Sequence, residues 1–227
     1  MGRLAGSRRV TVRSAALAAA VLALSGCSSL EPPEQPTTGI DELVIPTPAP
    51  DPTDFVAGID NPWLAWEPGA RFDLDDVTLE VGTGAVEVDG VATTPVTIRA
   101  PAGSGLPTGT DYLAQDDAGN VWWFGRRGHW LAGRGDAEPG LWLAADPRRG
   151  DGWQTGARDD AGQPLVATVL TDVGTVESGA GAVSDAAVVV QLSSTPAVRL
   201  FYTRGVGLSA VVDGARTDHL QQVTTGG

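Results

Sequence analysis

Residues 111–130 (DYLAQDDAGNVWWFGRRGHW) constrain the fold more than any other stretch of the chain. They form a pattern of two strands joined by a tight turn at Asp116-Asp117-Ala118-Gly119. Gly119 there tolerates a positive φ, and the Asp pair can bond nearby backbone amides. Side chains alternate along a strand, so Trp122 and Phe124 fall on one face and Val121 and Trp123 on the other. A strand with large apolar groups on both faces cannot leave either face in water. It must be central to a sheet, sandwiched, or lining an apolar cavity.

The remainder of the second half follows the same period. Gly and Pro punctuate the chain every ten residues or so. The segments between them are rich in Val, Thr and aromatics with period two. Strands are expected at 70–74, 77–81, 85–88, 95–100, 110–115, 120–124, 129–132, 140–143, 165–171, 186–193, 198–203, 206–212 and 216–223. Asp-Gly steps at 89, 151 and 213 signal turns, and the step at 213 joins two strands as a hairpin. The run at 186–192 (AAVVVQL) is apolar on both faces and reads as a central strand. So many short strands at hairpin spacing predict an all-β domain. It is an antiparallel β-barrel or a strongly curved sheet, with little helix outside the signal peptide.

The N-terminus has a different character. Arg3, Arg8, Arg9 and Arg13 precede an apolar run at 15–24, which ends in Leu24-Ser25-Gly26-Cys27. Ten apolar residues make about 15 Å of helix, too short for a hydrocarbon core of about 30 Å. This is the pattern of a secretory signal. Its end resembles the lipobox of bacterial lipoproteins. That resemblance implies that Cys27, the single cysteine, is diacylated on sulfur and becomes the first mature residue. Ser7-Arg8-Arg9 is also similar to a twin-arginine signal, so Sec and twin-arginine export both stay open. From 28 to 54 the chain is rich in Pro, Thr and acidic residues, a composition that cannot bury a core. At about 3.1 Å per residue such a tether reaches roughly 80 Å. Its one hydrophobic piece is DELVI at 41–45, a candidate edge strand. The organisation is therefore a lipoprotein signal peptide (1–26), a lipidated Cys with a disordered Pro-rich tether (27–54) and a single β-domain (55–227).

Loss of residues 1–26 removes four arginines and no acid, taking the net charge from −13 to −17. Nucleic acid is disfavoured as a partner, because that affinity comes from basic side chains neutralising phosphates. The acyl chain at Cys27 would hold the protein at the membrane without help from anionic lipid. No catalytic constellation is visible. His129 and His219 are the only imidazoles, there is no Gly-x-Ser-x-Gly elbow, and no lysine completes a phosphate loop. Zinc lacks enough His and Cys. Asp73, Asp75 and Asp76, or Asp116, Asp117 and Asn120, gather oxygens without the EF-hand pattern. No catalytic residue, metal or cofactor is expected.

Four segments carry a resemblance: IDNPWLAWEPGARF (59–72), DYLAQDDAGNVWWFG (111–125), ADPRRGDGW (145–153) and FYTRGVGL (201–208). Together they resemble, in order, a family of secreted or lipid-anchored actinobacterial proteins of uncharacterised function. The chain departs from that pattern at Arg204 and Leu113 and is shorter after Trp153. The resemblance implies an exported antiparallel β-domain and no established activity. Each segment also has a physical reading. Asn61-Pro62 is a turn with Trp63 and Trp66 capping one end of the core. Asp146 to Gly152 is a loop whose end Trp153 anchors. Gly205 and Gly207 mark a bulge or a close backbone approach.

The function expected from these features is a non-enzymatic, lipid-anchored extracytoplasmic domain that binds an apolar small molecule or an envelope component. Trp122, Trp123, Phe124 and Trp130 are the candidate ligand-facing residues. The alternatives are an envelope protein–protein scaffold and, behind it, an enzyme acting on glycan, since tryptophans stack on sugars and acids are plentiful. Replacement of Cys27 by Ala is expected to abolish incorporation of labelled palmitate and to release the protein from the membrane fraction, read by autoradiography and fractionation of cells expressing the full chain.

Overall fold

The computed structural model describes residues 50–226 except 65, 103, 105, 107, 160, 178 and 180–182. The signal sequence, Cys27 and the run at 41–45 lie outside the described residues. A 3-10 turn (Pro52–Asp54) leads into fifteen strands. These are β1 (Phe55–Val56), β2 (Arg71–Leu74), β3 (Thr78–Val81), β4 (Val86–Val88), β5 (Val91–Arg99), β6 (Gly109–Asp116), β7 (Val121–Arg126) and β8 (Trp130–Leu131). They continue with β9 (Gly140–Leu143), β10 (Gly152–Arg158), β11 (Pro164–Glu177), β12 (Val183–Leu192), β13 (Val198–Thr203), β14 (Gly207–Asp213) and β15 (Arg216–Thr224).

One antiparallel sheet runs β10-β11-β12-β13-β14-β15-β2-β3-β5-β6-β7-β8, with β1 added to β6, β4 to β5 and β9 to β7. Most neighbours are consecutive in sequence. Pairs that skip a neighbour include β3 with β5, β7 with β9 and β1 with β6, and the longest-range one is β15 with β2, which joins the last strand to one of the first (Val223 opposite Phe72). The result is a nearly closed, barrel-shaped sheet. Residues opposite one another in register share a face. Phe72 faces Leu79, Leu79 faces Ile98, and Val96 lies between Val81 and Asp111. On the far side Val190 faces Leu200, and Leu200 faces Val211. All are buried, and the apolar ones belong to one contiguous cluster that fills the inside. Each such aliphatic side chain contributes about 1.5–3 kcal/mol relative to exposure.

β7 lies between β6 and the β8/β9 pair, and every one of its residues is buried. That is the position its two-faced apolar pattern requires. β12 is likewise central, between β11 and β13. The β11–β12 hairpin carries three register shifts and bends over the outer surface. Val176, Ala187, Ala210 and Phe201 form a second small cluster there, and the Gly179 amide donates to the Leu220 carbonyl at 2.8 Å.

Three sequence expectations change. Residues 152–158 form a strand, not a loop end: Trp153, Thr155 and Ala157 are buried while Gln154, Gly156 and Arg158 are exposed. Two glycines and a threonine make that alternation faint in the sequence. β5 starts at Val91 and passes straight through Pro95. Pro95 can sit in mid-strand because it falls where β5 changes partner, from β4 (up to Thr93) to β3 (from Val96), so its missing N–H interrupts no ladder. Residues 50–54, tether by composition, run against the domain: Asp117 N donates to the Asp54 carbonyl at 2.8 Å.

The circle is completed between β9 and β10, which share no ladder. Their backbones touch at Gly140, where a Cβ would stand 2.1 Å from the Gly156 nitrogen. Gly140→Ala is therefore expected to push the two strands apart and to destabilise the domain by about 1–3 kcal/mol, measured as a lowered urea midpoint.

Candidate functional site

Asp116 closes the β6–β7 turn and organises what surrounds it. Gly119 takes φ +86°, and the Asp116 carboxylate accepts from Asn120 N (2.7 Å), Asn120 Nδ2 (3.0 Å) and Trp122 Nε1 (2.8 Å). The Asn120 side-chain oxygen Oδ1 accepts from Ala145 N at 3.0 Å. Asn61 Nδ2 donates to the Gly119 carbonyl (2.9 Å), and Gln115 Oε1 accepts the amides of Asp60 (2.9 Å) and Asn61 (2.8 Å). Gly205 N donates to the Pro62 carbonyl at 2.7 Å. Segments far apart in sequence thus converge on one hairpin tip. The Gly205–Gly207 turn is a close approach as well as a bend, because a Cβ on Gly207 would come within 2.5 Å of the Leu64 carbonyl oxygen.

Trp122 carries this network to a surface cleft. A cleft of about 1150 Å³ lies on the β9–β10 seam, between the segment 128–139 on one side and β10 with Val166 on the other. Trp122, Trp130 and Trp153 contribute to its walls, with Arg134, Asp136, Glu138, Gln154 and Arg158 as its charged and amide groups. Trp122 is only 3 % exposed, and its indole is fixed through Nε1. Trp130 is half-buried and packs on the backbone of β10, where a Cβ at Gly156 would meet its Cη2 at 3.1 Å. Asp136 and Glu138 enter no ion pair among the described residues, and both sit on the same segment. No carboxylate lines the opposite wall. The facing acid pair of a glycoside hydrolase is therefore not built by the cleft's lining residues. His129 lines the cleft, with no Ser, Thr or Cys beside it in the lining.

The four aromatics named from the sequence separate into three settings. Trp122 and Trp130 line the cleft. Phe124 packs edge-on against Phe55 at 5.1 Å and lines a smaller hollow of about 290 Å³ with Pro50, Pro52 and Val91. Trp123 is on the inward face and outside the cleft lining. Its Nε1 donates to Asp111 Oδ1 (3.1 Å) and to the Gly125 carbonyl (2.9 Å), and Trp130 and Trp142 meet its ring edge-on at 5.3 and 5.2 Å. Beside it Arg126 holds Asp111 in a forked ion pair, Nε to Oδ1 at 2.7 Å and Nη2 to Oδ2 at 2.5 Å. Both members are buried inside the barrel wall. Burial pushes the Asp111 carboxyl above its ordinary value, and the guanidinium pulls against that rise. Burial likewise raises the Tyr202 hydroxyl above its ordinary value.

Sequence reasoning missed the β10 wall and the charged run Arg134–Glu138. A signal for the latter was present: a Gly-flanked, charged segment between Trp130 and Trp142 is a loop with polar groups held near aromatics. The other acids are engaged elsewhere. Asp75 accepts from His219 N and Gln221 Nε2 (both 2.8 Å), Asp76 pairs with Arg216, and Asp73 pairs with Arg71. Among the described residues no group of three or more His, Cys, Asp or Glu is arranged to hold a metal ion. His219 is half-buried on β15, with Nδ1 2.7 Å from the Glu177 carbonyl.

No protein-family model matches the chain, and neither a curated protein nor a solved structure matches it. The site is thus interpreted from its own chemistry. Asp116→Ala is expected to leave the Trp122 and Asn120 donors unpaired and to cost about 2–4 kcal/mol of stability, with a shift in tryptophan emission, both measured in one urea titration followed by fluorescence.

Proposed function

We propose that this protein is a non-catalytic, lipid-anchored, extracytoplasmic β-barrel whose seam cleft binds a saccharide-bearing component of the cell envelope. The observation that carries the reading is the composition of the cleft: indole surface from half-buried Trp130, backed by the buried Trp122 and Trp153, alongside exposed Arg134, Asp136, Glu138, Gln154 and Arg158. Sugars present C–H faces to aromatic rings and hydroxyls to carboxylates, amides and guanidinium groups, and a water-facing cleft with both kinds of surface suits them. A purely apolar ligand has less support. The inward face is occupied by packed side chains, with a buried ion pair among them. The signal pattern, the lipobox-like Cys27 and the acidic charge support a place outside the cytoplasm. The convergence of the four sequence segments on one hairpin supports treating them as the shared signature of an exported family.

Titration of the full chain with soluble peptidoglycan glycan fragments is expected to quench tryptophan fluorescence saturably. Trp130→Ala should weaken that binding about tenfold, as the loss of one aromatic contact of roughly 1.5 kcal/mol implies. Absence of saturable quenching, together with lipids that copurify and survive in Trp130→Ala, would reject the saccharide reading in favour of an apolar ligand.

A further inference from the structure

The geometry points to an acidic saccharide as the occupant of the cleft, its carboxylate held by Arg158. This inference rests on the saccharide reading above and narrows it. The two walls of the cleft differ in charge. Segment 128–139 carries Arg134 and both carboxylates, Asp136 and Glu138, whereas β10 opposite carries Gln154 and Arg158 and no acid.

Arg158 is exposed at the end of β10, and its Nη1 donates to the Gly162 carbonyl at 2.8 Å. One nitrogen is thereby anchored, and the remaining donors of the fork stay open. The adjacent Asp159 does not neutralise it. That carboxylate turns into its own loop and accepts from Ala161 N (3.0 Å) and Gln163 N (2.8 Å). Arg158 enters no ion pair among the described residues. Arg134 across the cleft enters no ion pair among the described residues either, but it shares its segment with Asp136 and Glu138, whereas no carboxylate lines the wall that carries Arg158.

The field of so acidic a protein repels anions in general. An acid group binds only where a local guanidinium offsets that repulsion, and the planar fork of Arg matches a carboxylate. On the other wall Asp136 and Glu138 are acceptors only, suited to sugar hydroxyls and hostile to a second acid. The cleft therefore has a polarity: hydroxyls toward 136–138, the acid toward β10.

Calorimetric titration of the full chain with two disaccharides tests this. One is N-acetylglucosaminyl-N-acetylmuramic acid, with its lactyl carboxylate; the other is chitobiose, which lacks that group. The acidic disaccharide is expected to bind about tenfold more tightly, the scale of one charge-assisted hydrogen bond. Arg158→Gln is expected to erase the difference, because it weakens the acidic disaccharide about tenfold more than the neutral one. Equal affinities, or a preference that persists in Arg158→Gln, overturn the acidic inference and leave the saccharide cleft standing. Failure of both sugars to bind overturns both.

Discussion

The carboxylate of Asp116, with the amides of Asn61, Gln115 and Asn120 around it, holds together parts of the chain that nothing else brings to one place. Residues 60–62, the β6–β7 tip, Ala145 and Gly205 all end on this knot of hydrogen bonds. The knot has little apolar area, so its strength lies in mutual satisfaction: each member is donor or acceptor to another. Removing one leaves a buried polar atom without a partner, at about 1–3 kcal/mol. Bringing such distant residues together also costs loop-closure entropy before the contacts form. The knot should consequently form with the barrel rather than ahead of it.

The same group helps set the geometry of the cleft, because Trp122, a buried part of its wall, is fixed to Asp116 through its indole N–H. Behind it, on the opposite face of β7, Trp123 bonds to Asp111 and packs with Trp130 and Trp142. One strand thus serves two environments, a filled interior and an open groove. Barrels remove sheet edges by pairing them. Here the final joint is made by backbone contact at Gly140 and Gly156 instead of by a ladder, and the cleft lies along that joint.

The strand pattern was largely legible in the sequence because period-two alternation reports directly on a barrel wall with one face inward. Residues 71–74 and 198–203 carry it plainly, and the Asp213-Gly214 turn joins its two strands as that dipeptide suggests. β10 was hidden because two of its seven residues are glycines, and the value of Gly156 lies in its contact with β9, a tertiary fact with no local trace. Pro95 misled for a related reason: its tolerance depends on which strand is its neighbour at that point. The site was half legible. Trp122 and Trp130 stand out as bulky residues in a polar context, whereas Gln154 and Arg158 become neighbours of segment 128–139 only when the ends of the sheet meet.

Pro50 and Pro52 line the smaller hollow together with Phe124, Gly133 and Asp89, and three further members of that hollow, Ala137, Glu138 and Pro139, also form the rim of the cleft. The polypeptide at 50–52 thus packs against that rim and, two residues on, is tied by Asp54 and β1 to the β6–β7 turn. A substitution at Pro50 or Pro52 therefore reaches the packing of residues 137–139 as well as the seating of β1 on β6.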